Sequence, residues 1–169
     1  ISRGTAKIFG IDMAENFRRP YFAVSLNDYW RRWHISLGTW MKNYLFYPIA
    51  LSKSMRKLNL RINSTAFGKT GAGAHIARSL PSCIATMAVF LTVGLWHGSS
   101  SQYVLYGLWN GTVISIAILL EPVFAWQNRK LHISEESVML RIFRTVRTFI
   151  IVCISNITDL APNMRDCFV

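Results

Sequence analysis

The chain has 169 residues, of which 51% are hydrophobic and 16% are charged, and its formal net charge is +11. Soluble domains rarely combine so high an apolar fraction with so little charge, because charged surface keeps them dispersed. The composition therefore favours a membrane-associated protein. Most of the excess positive charge lies in residues 1–78, next to a long uncharged interval. This arrangement favours anionic lipid headgroups as partners and argues against nucleic acid.

One amphipathic helix is predicted over residues 26–46. Ser25 and Asp28 have the spacing of a capping box, which marks a helix start, and Pro48 marks its end. At helical periodicity one face is aromatic, the opposite face is polar, and His34 lies on the edge between them. The aromatic face carries Trp30, Trp33, Leu37, Trp40, Met41 and Tyr44, and the polar face carries Arg31, Arg32, Lys42 and Asn43. Such a helix suits a membrane–water interface, and it could equally pack its aromatic face against transmembrane neighbours.

Residues 52–78 are predicted to form a basic loop at a cytoplasmic membrane surface. They contain six cations and no acid. The Gly-rich sequence FGKTGAG within them is not a phosphate-binding loop, because that motif requires a glycine where this chain has Asn63.

Two transmembrane helices are predicted over residues 80–96 and 102–120. They would be about 26 and 29 Å long, against a hydrocarbon core of about 30 Å. The short linker HGSSSQ makes them a hairpin, and their basic flanks place both outer ends in the cytoplasm. A further buried helix is predicted over residues 140–160. The expected fold class is thus all-α, a polytopic transmembrane helical protein of which this is a partial chain.

Two of the four histidines are candidates for chemistry. His97 lies in the uncharged interval, where an ionisable group is a functional candidate, although a wetted helix end is the alternative. His34 is either a functional residue or a satisfied core histidine. His75 and His132 are predicted to be solvated. The histidine and cysteine spacings match no zinc signature, so no metal site is predicted.

Two blocks resemble a known family, and they occupy residues 15–49 and 94–111. They read ENFRRPYFAVSLNDYWRRWHISLGTWMKNYLFYPI and GLWHGSSSQYVLYGLWNG. Together they resemble the membrane-bound O-acyltransferases, in the bacterial branch that acylates cell-envelope polysaccharides. The resemblance implies a multi-pass helical protein of the bacterial cytoplasmic membrane, longer than this chain, with residues 1–169 forming part of its catalytic region.

The resemblance also implies roles for individual residues. His97 matches the family's catalytic histidine, a general base that would take the acceptor's proton as its oxygen attacks a thioester. His34 matches the family's second functional position. Five further residues are expected to bind substrates or lipids: Trp33, Trp40, Trp96, Arg31 and Arg32.

The implied donor is an acyl thioester, carried either by a phosphopantetheine carrier protein or by acetyl-CoA, and no bound cofactor is expected. The implied acceptor is a cell-envelope polysaccharide, and membrane lipids are the other expected partners. The acyl group, D-alanyl or acetyl, stays open. Pro48 leads into IALSK where acetylating members usually have Pro-Leu-Gly-Gly, whereas WRRWHISL favours those members. The alternative to an enzyme is a transport or scaffold module in which His97 is a structural or proton-relay group.

Overall fold

The computed structural model describes residues 2–132 and 134–160. Most residues in these two ranges are helical, and the ranges contain no β-strand. The predicted all-α class is confirmed. The helices are α1 Ser2–Ile8, α2 Leu26–Trp30, α3 Ile35–Met41, α4 Tyr47–Ala50, α5 Lys53–Asn63, α6 Gly71–His97, α7 Ser101–Leu119, α8 Glu121–Lys130 and α9 Val138–Leu160. A 3₁₀ turn covers Pro20–Phe22, and a π-helical segment, Lys42–Phe46, joins α3 to α4.

Helices α6 and α7 form the centre of the fold. Both are long and apolar enough to cross a membrane, and they cover the two predicted spans. Their backbones meet at glycines. A Cβ on Gly107 would lie 2.5 Å from the carbonyl oxygen of Phe90, and one on Gly94 would overlap the carbonyl oxygen of Tyr103. Small residues let membrane helices pack this closely, so the two helices have a fixed relative position.

The prediction of one helix over residues 26–46 is wrong. Ser25 caps α2 as expected, with its hydroxyl accepting from the Asp28 amide at 3.1 Å. The helix then ends, and the backbone breaks between Arg31 and His34. Tertiary pairing with an earlier segment overrides the helical periodicity here. Pro48 does not end the second part, because it directly follows the π-helical segment, where the regular helical hydrogen bonding is already interrupted.

The prediction of a loop over residues 52–78 is also wrong. Ser52 caps α5, and its hydroxyl accepts from the Met55 amide at 3.3 Å. The apolar side chains at helical spacing, Met55, Leu58 and Ile62, are half-buried, while the cations of this helix point outward. The high density of lysine and arginine led to the prediction of a loop, although the apolar residues have helical spacing. Helix α6 then starts at Gly71, nine residues before the predicted span.

Helix α9 packs lengthwise on α7 and coincides with the helix predicted over residues 140–160. The Asn110 amide donates to the Ser155 hydroxyl at 2.6 Å, and Ile114 shares a buried cluster with Val152. Among the described residues of α9, only this face is buried. Apolar side chains on the other side, Phe143 and Ile150 among them, are exposed. The expectation of a buried helix therefore holds for one face of its described residues.

Replacing Gly107 by alanine is expected to push α6 and α7 apart, because the new Cβ meets a backbone carbonyl that cannot rotate away. Overpacking of this kind costs about 1–3 kcal/mol. The thermal unfolding temperature of the full-length protein in detergent should fall. Gly71→Ala is the matched control, because a Cβ there contacts nothing within 4 Å. An unfolding temperature for Gly107→Ala equal to that of the control would contradict the close contact.

Candidate active site

Two candidate histidines from distant parts of the sequence meet at one end of the α6–α7 hairpin. His97 is the last residue of α6, and His34 lies at the break between α2 and α3. The ring of Trp96 contacts both: its centroid is 5.1 Å from that of His97 and 6.5 Å from that of His34. The structure thus brings His34, Trp96 and His97 into one cluster, here called the histidine cluster.

The position of His97 follows from the glycines on either side of it. Gly94 permits the close approach of α7, and a Cβ on Gly98 would lie only 2.5 Å from the ring of Tyr103. The His97 ring consequently packs beside two tyrosines of α7, with centroids 6.0 Å from Tyr103 and 5.3 Å from Tyr106. The sequence analysis missed both tyrosines. Their spacing of three residues, with Tyr103 five positions after Gly98, is the signal that could have found them.

His34 adopts a left-handed backbone conformation, with φ 48° and ψ 51°. This conformation costs a residue other than glycine about 1–2 kcal/mol, so surrounding contacts must hold it. One contact is a short antiparallel bridge between Phe17 and Trp33, in which the Arg18 amide donates to the Arg32 carbonyl at 2.9 Å. The ring of Phe17 also packs against His34, at a centroid distance of 5.0 Å.

Asn16 supplies the second set of contacts that hold His34. Its carbonyl oxygen accepts from the Ile35 amide at 3.1 Å, and its side-chain oxygen accepts from the Ser36 amide at 2.9 Å. The Ser36 hydroxyl donates to the same side-chain oxygen at 2.6 Å. Asn16 therefore caps α3 from outside the helix and fixes the turn at His34. The local sequence around α3 does not predict this cap, because Asn16 lies twenty residues before Ser36.

Burial lowers the pKa of His34 below its usual range, and the nearby His97 lowers it further. Both effects disfavour the charged imidazolium. His34 is consequently neutral at neutral pH, with one ring nitrogen able to accept a proton or a hydrogen bond.

The three predicted tryptophans do not share one environment. Trp96 contacts both histidines, and Trp33 lies beside His34 with a centroid distance of 5.6 Å. Trp40 is 52% exposed, and its ring packs on Tyr44 at 5.2 Å. The structure therefore brings two of the three tryptophans to the histidine cluster and leaves Trp40 on the surface.

The two predicted arginines also differ. Arg32 forms a bidentate ion pair with Asp28, with distances of 2.9 Å from Nη2 to Oδ2 and 3.0 Å from Nε to Oδ1. Arg31 is exposed to solvent. Because Asp28 already fixes the guanidinium of Arg32, Arg31 is the freer of the two cations.

The remaining histidines lie outside the histidine cluster. His75 was predicted to be solvated, and that prediction is wrong. It lies half-buried on α6, with its Nε2 3.1 Å from the Ile118 carbonyl oxygen and 3.4 Å from the Ser79 hydroxyl. Because α6 begins as early as Gly71, His75 lies within this helix and packs against α7. His132 is exposed, as predicted.

Asn16→Ala should loosen the turn at His34, because it removes the acceptor for both groups of Ser36. The loss of a helix cap costs about 1 kcal/mol. In the full-length protein, hydrogen–deuterium exchange of a peptide covering residues 34–40 should become faster, while a peptide from α6 stays unchanged. Asn43→Ala, at an exposed asparagine of the π-helical segment, is the control. Equal protection of residues 34–40 in both variants would contradict the role of Asn16.

Comparison with known proteins gives one family and several relatives. Residues 1–65 match the sequence profile of the membrane-bound O-acyltransferase family. A probable alginate O-acetylase of Azotobacter vinelandii is 30% identical over 95% of this chain and 26% of its own length. The teichoic acid D-alanyltransferase of Bacillus subtilis is 28% identical over 89% of this chain and 33% of its own length. The peptidoglycan O-acetyltransferase of Helicobacter pylori is 27% identical over 80% of this chain and 21% of its own length.

The chain thus spans about a quarter of the length of the O-acetylase relative. The profile match includes His34, the bridge at Phe17 and the Asn16 cap. The relatives from Azotobacter vinelandii and Bacillus subtilis align with most of the chain. Together with the two membrane-capable helices, these matches show that the chain is part of a membrane protein and belongs to the membrane-bound O-acyltransferase family.

Proposed function

We propose that the full-length protein is a membrane O-acyltransferase that moves an acyl group from a thioester to a hydroxyl of a cell-envelope polysaccharide. The observation that carries the proposal is that the rings of His34 and His97 both contact Trp96. Membership of the family and the acyltransferase names of the relatives support the reaction class. The full-length protein would be a multi-pass protein of the bacterial cytoplasmic membrane.

His97 is the proposed general base. A neutral imidazole nitrogen takes the proton of the acceptor hydroxyl while that oxygen attacks the thioester carbonyl. The tetrahedral intermediate then collapses, the carbon–sulfur bond breaks, and the thiolate leaves and receives a proton. The rings of Tyr103 and Tyr106 restrict the orientation of His97, which favours a fixed direction of proton transfer.

His34 is proposed to orient one of the reacting groups rather than to take the first proton. Its lowered pKa keeps it neutral, and its backbone is held by contacts on both sides. A neutral imidazole can accept a hydrogen bond from the acceptor or donate one to the donor. Trp33 and Trp96 would then form apolar walls for the substrate next to the two histidines. Trp40, on the surface, could contact only a substrate that extends away from the histidine cluster.

The donor is proposed to be acetyl-CoA or an acylated phosphopantetheine carrier protein, and Arg31 is the better placed of the two arginines to contact its phosphate groups. The relatives named as O-acetylase and O-acetyltransferase favour an acetyl group, and the one named as D-alanyltransferase favours D-alanine. The acceptor is proposed to be a polymer of the class that these names indicate.

His97→Ala is expected to reduce acylation by at least about a hundredfold, the usual contribution of a general base. His34→Ala should cause a smaller but clear loss. The measurement is the ester-bound acetate and D-alanine released by mild alkali from isolated envelope polysaccharide, normalised to the protein in the membrane fraction. His132→Ala, at an exposed histidine, is the matched control and should leave acylation at the wild-type level.

If His97→Ala retained wild-type acylation at equal protein level, His97 would not be the base. If the wild-type protein supported no acylation, and its His97 variant impaired transport or assembly instead, the chain would belong to a non-enzymatic module. The released acid identifies the acyl group directly.

A further inference from the structure

An open groove separates the segment before α2 from the first two turns of α9. Its volume is about 720 Å³, and none of His34, Trp96 and His97 lines it. Three arginines line it, together with four apolar side chains and Thr145: the arginines are Arg19, Arg32 and Arg141, and the apolar residues are Phe22, Val24, Ile142 and Val146. We call it the arginine groove. The ring of Tyr21 packs edge-on against Phe149 at 5.9 Å and holds the two walls together.

The charge of the arginine groove is unbalanced. Asp28 is the one acid of residues 16–34, and it is already ion-paired with Arg32. Helix α9 carries no acid from Val138 to Thr158. A fourth arginine, Arg147, lies beside the groove and donates to the Val24 carbonyl at 3.2 Å. The groove therefore presents an excess of guanidinium groups, which bind phosphate oxygens in bidentate fashion.

Three of the four apolar side chains that line the arginine groove are exposed in the part of the chain that the structure describes. Phe22 is 70% exposed, Ile142 56% and Val146 53%. The apolar surface continues along α9 to Ile150, which is also exposed. A ligand that fits both parts of the groove must carry an anionic group joined to a long apolar chain.

The α9 wall of the groove lies toward the end of α7 at which α8 begins. Asn110 pairs with Ser155 and Ile114 with Val152, so α9 runs antiparallel to α7. At 1.5 Å per residue, Arg141 lies about 21 Å from Ser155 along α9, whereas the end of α7 lies about 14 Å from Asn110. Counted along the two helices, Arg141 is thus about 7 Å farther from the Asn110–Ser155 pair than the end of α7 is.

This end of α7 is also the end at which α6 begins and to which the basic helix α5 is joined. Clusters of basic residues next to a membrane span favour the cytoplasmic leaflet, which is the leaflet rich in anionic lipid.

We propose that the arginine groove binds an anionic glycerophospholipid, with its phosphate between Arg19 and Arg141 and one acyl chain along Phe22, Ile142 and Val146. This site is separate from the proposed acyl transfer and involves no reaction. It would fix α9 against the segment that leads to His34.

The test is lipid binding to the full-length protein in a nonionic detergent, measured by native mass spectrometry. The probes are dioleoylphosphatidylglycerol and, as the zwitterionic comparison, dioleoylphosphatidylcholine. The variant Arg19→Gln/Arg141→Gln removes two groove cations. Lys53→Gln/Arg56→Gln, on the exposed face of α5, removes the same charge elsewhere and is the matched control. A second variant, Val146→Asp, alters the apolar wall.

The groove variant should bind phosphatidylglycerol about tenfold or more weakly, with little change in the α5 control. Val146→Asp should also lose phosphatidylglycerol, and inorganic phosphate at millimolar concentration should not displace it. Equal losses in the groove variant and the control would overturn the proposal, because binding would then follow net charge alone. Equal affinity for both lipids, or displacement by inorganic phosphate, would overturn it as well.

Discussion

The contact of α6 with α7 at Gly94 and Gly107 is the constraint on which the rest of the structure depends. At these glycines the two backbones approach to a distance that leaves no room for a Cβ. The approach brings Tyr103 and Tyr106 against His97. It also forms the surface on which Trp30 packs, through Phe90 and Tyr106. In a membrane, where apolar surface alone gives little drive for helix association, such close packing is a main source of specificity.

The position of His34 depends indirectly on that surface. Helix α2 packs on the hairpin through Leu26 and Tyr29, and it carries the break at which His34 lies. The strained backbone of His34 persists because Asn16 and Phe17 hold the residues on either side of it. A strained turn on a rigid support is a common arrangement in binding and catalytic sites.

The sequence predicted those features that depend on composition over a long stretch. The two apolar helices were found because about twenty uncharged residues specify a span with little help from the rest of the chain. The break at His34 was missed, because the local pattern from Trp30 to Tyr44 is helical and only pairing with residues 16–18 interrupts it. Helix α5 was missed because its cations dominate the composition. The surface position of Trp40 follows from the same break, which changes the direction of the chain after Trp33.

We propose that His34 and His97, which both contact Trp96, act together in the acyl transfer. A double-mutant cycle on acylation in the full-length protein tests it most directly, using His34→Ala, His97→Ala and the double variant at equal protein level. Residues that work as one unit have non-additive effects. We expect the acylation rate of the double variant to lie within about threefold of the rate of the more impaired single variant. Losses that multiply would contradict it, because the two histidines would then contribute independently.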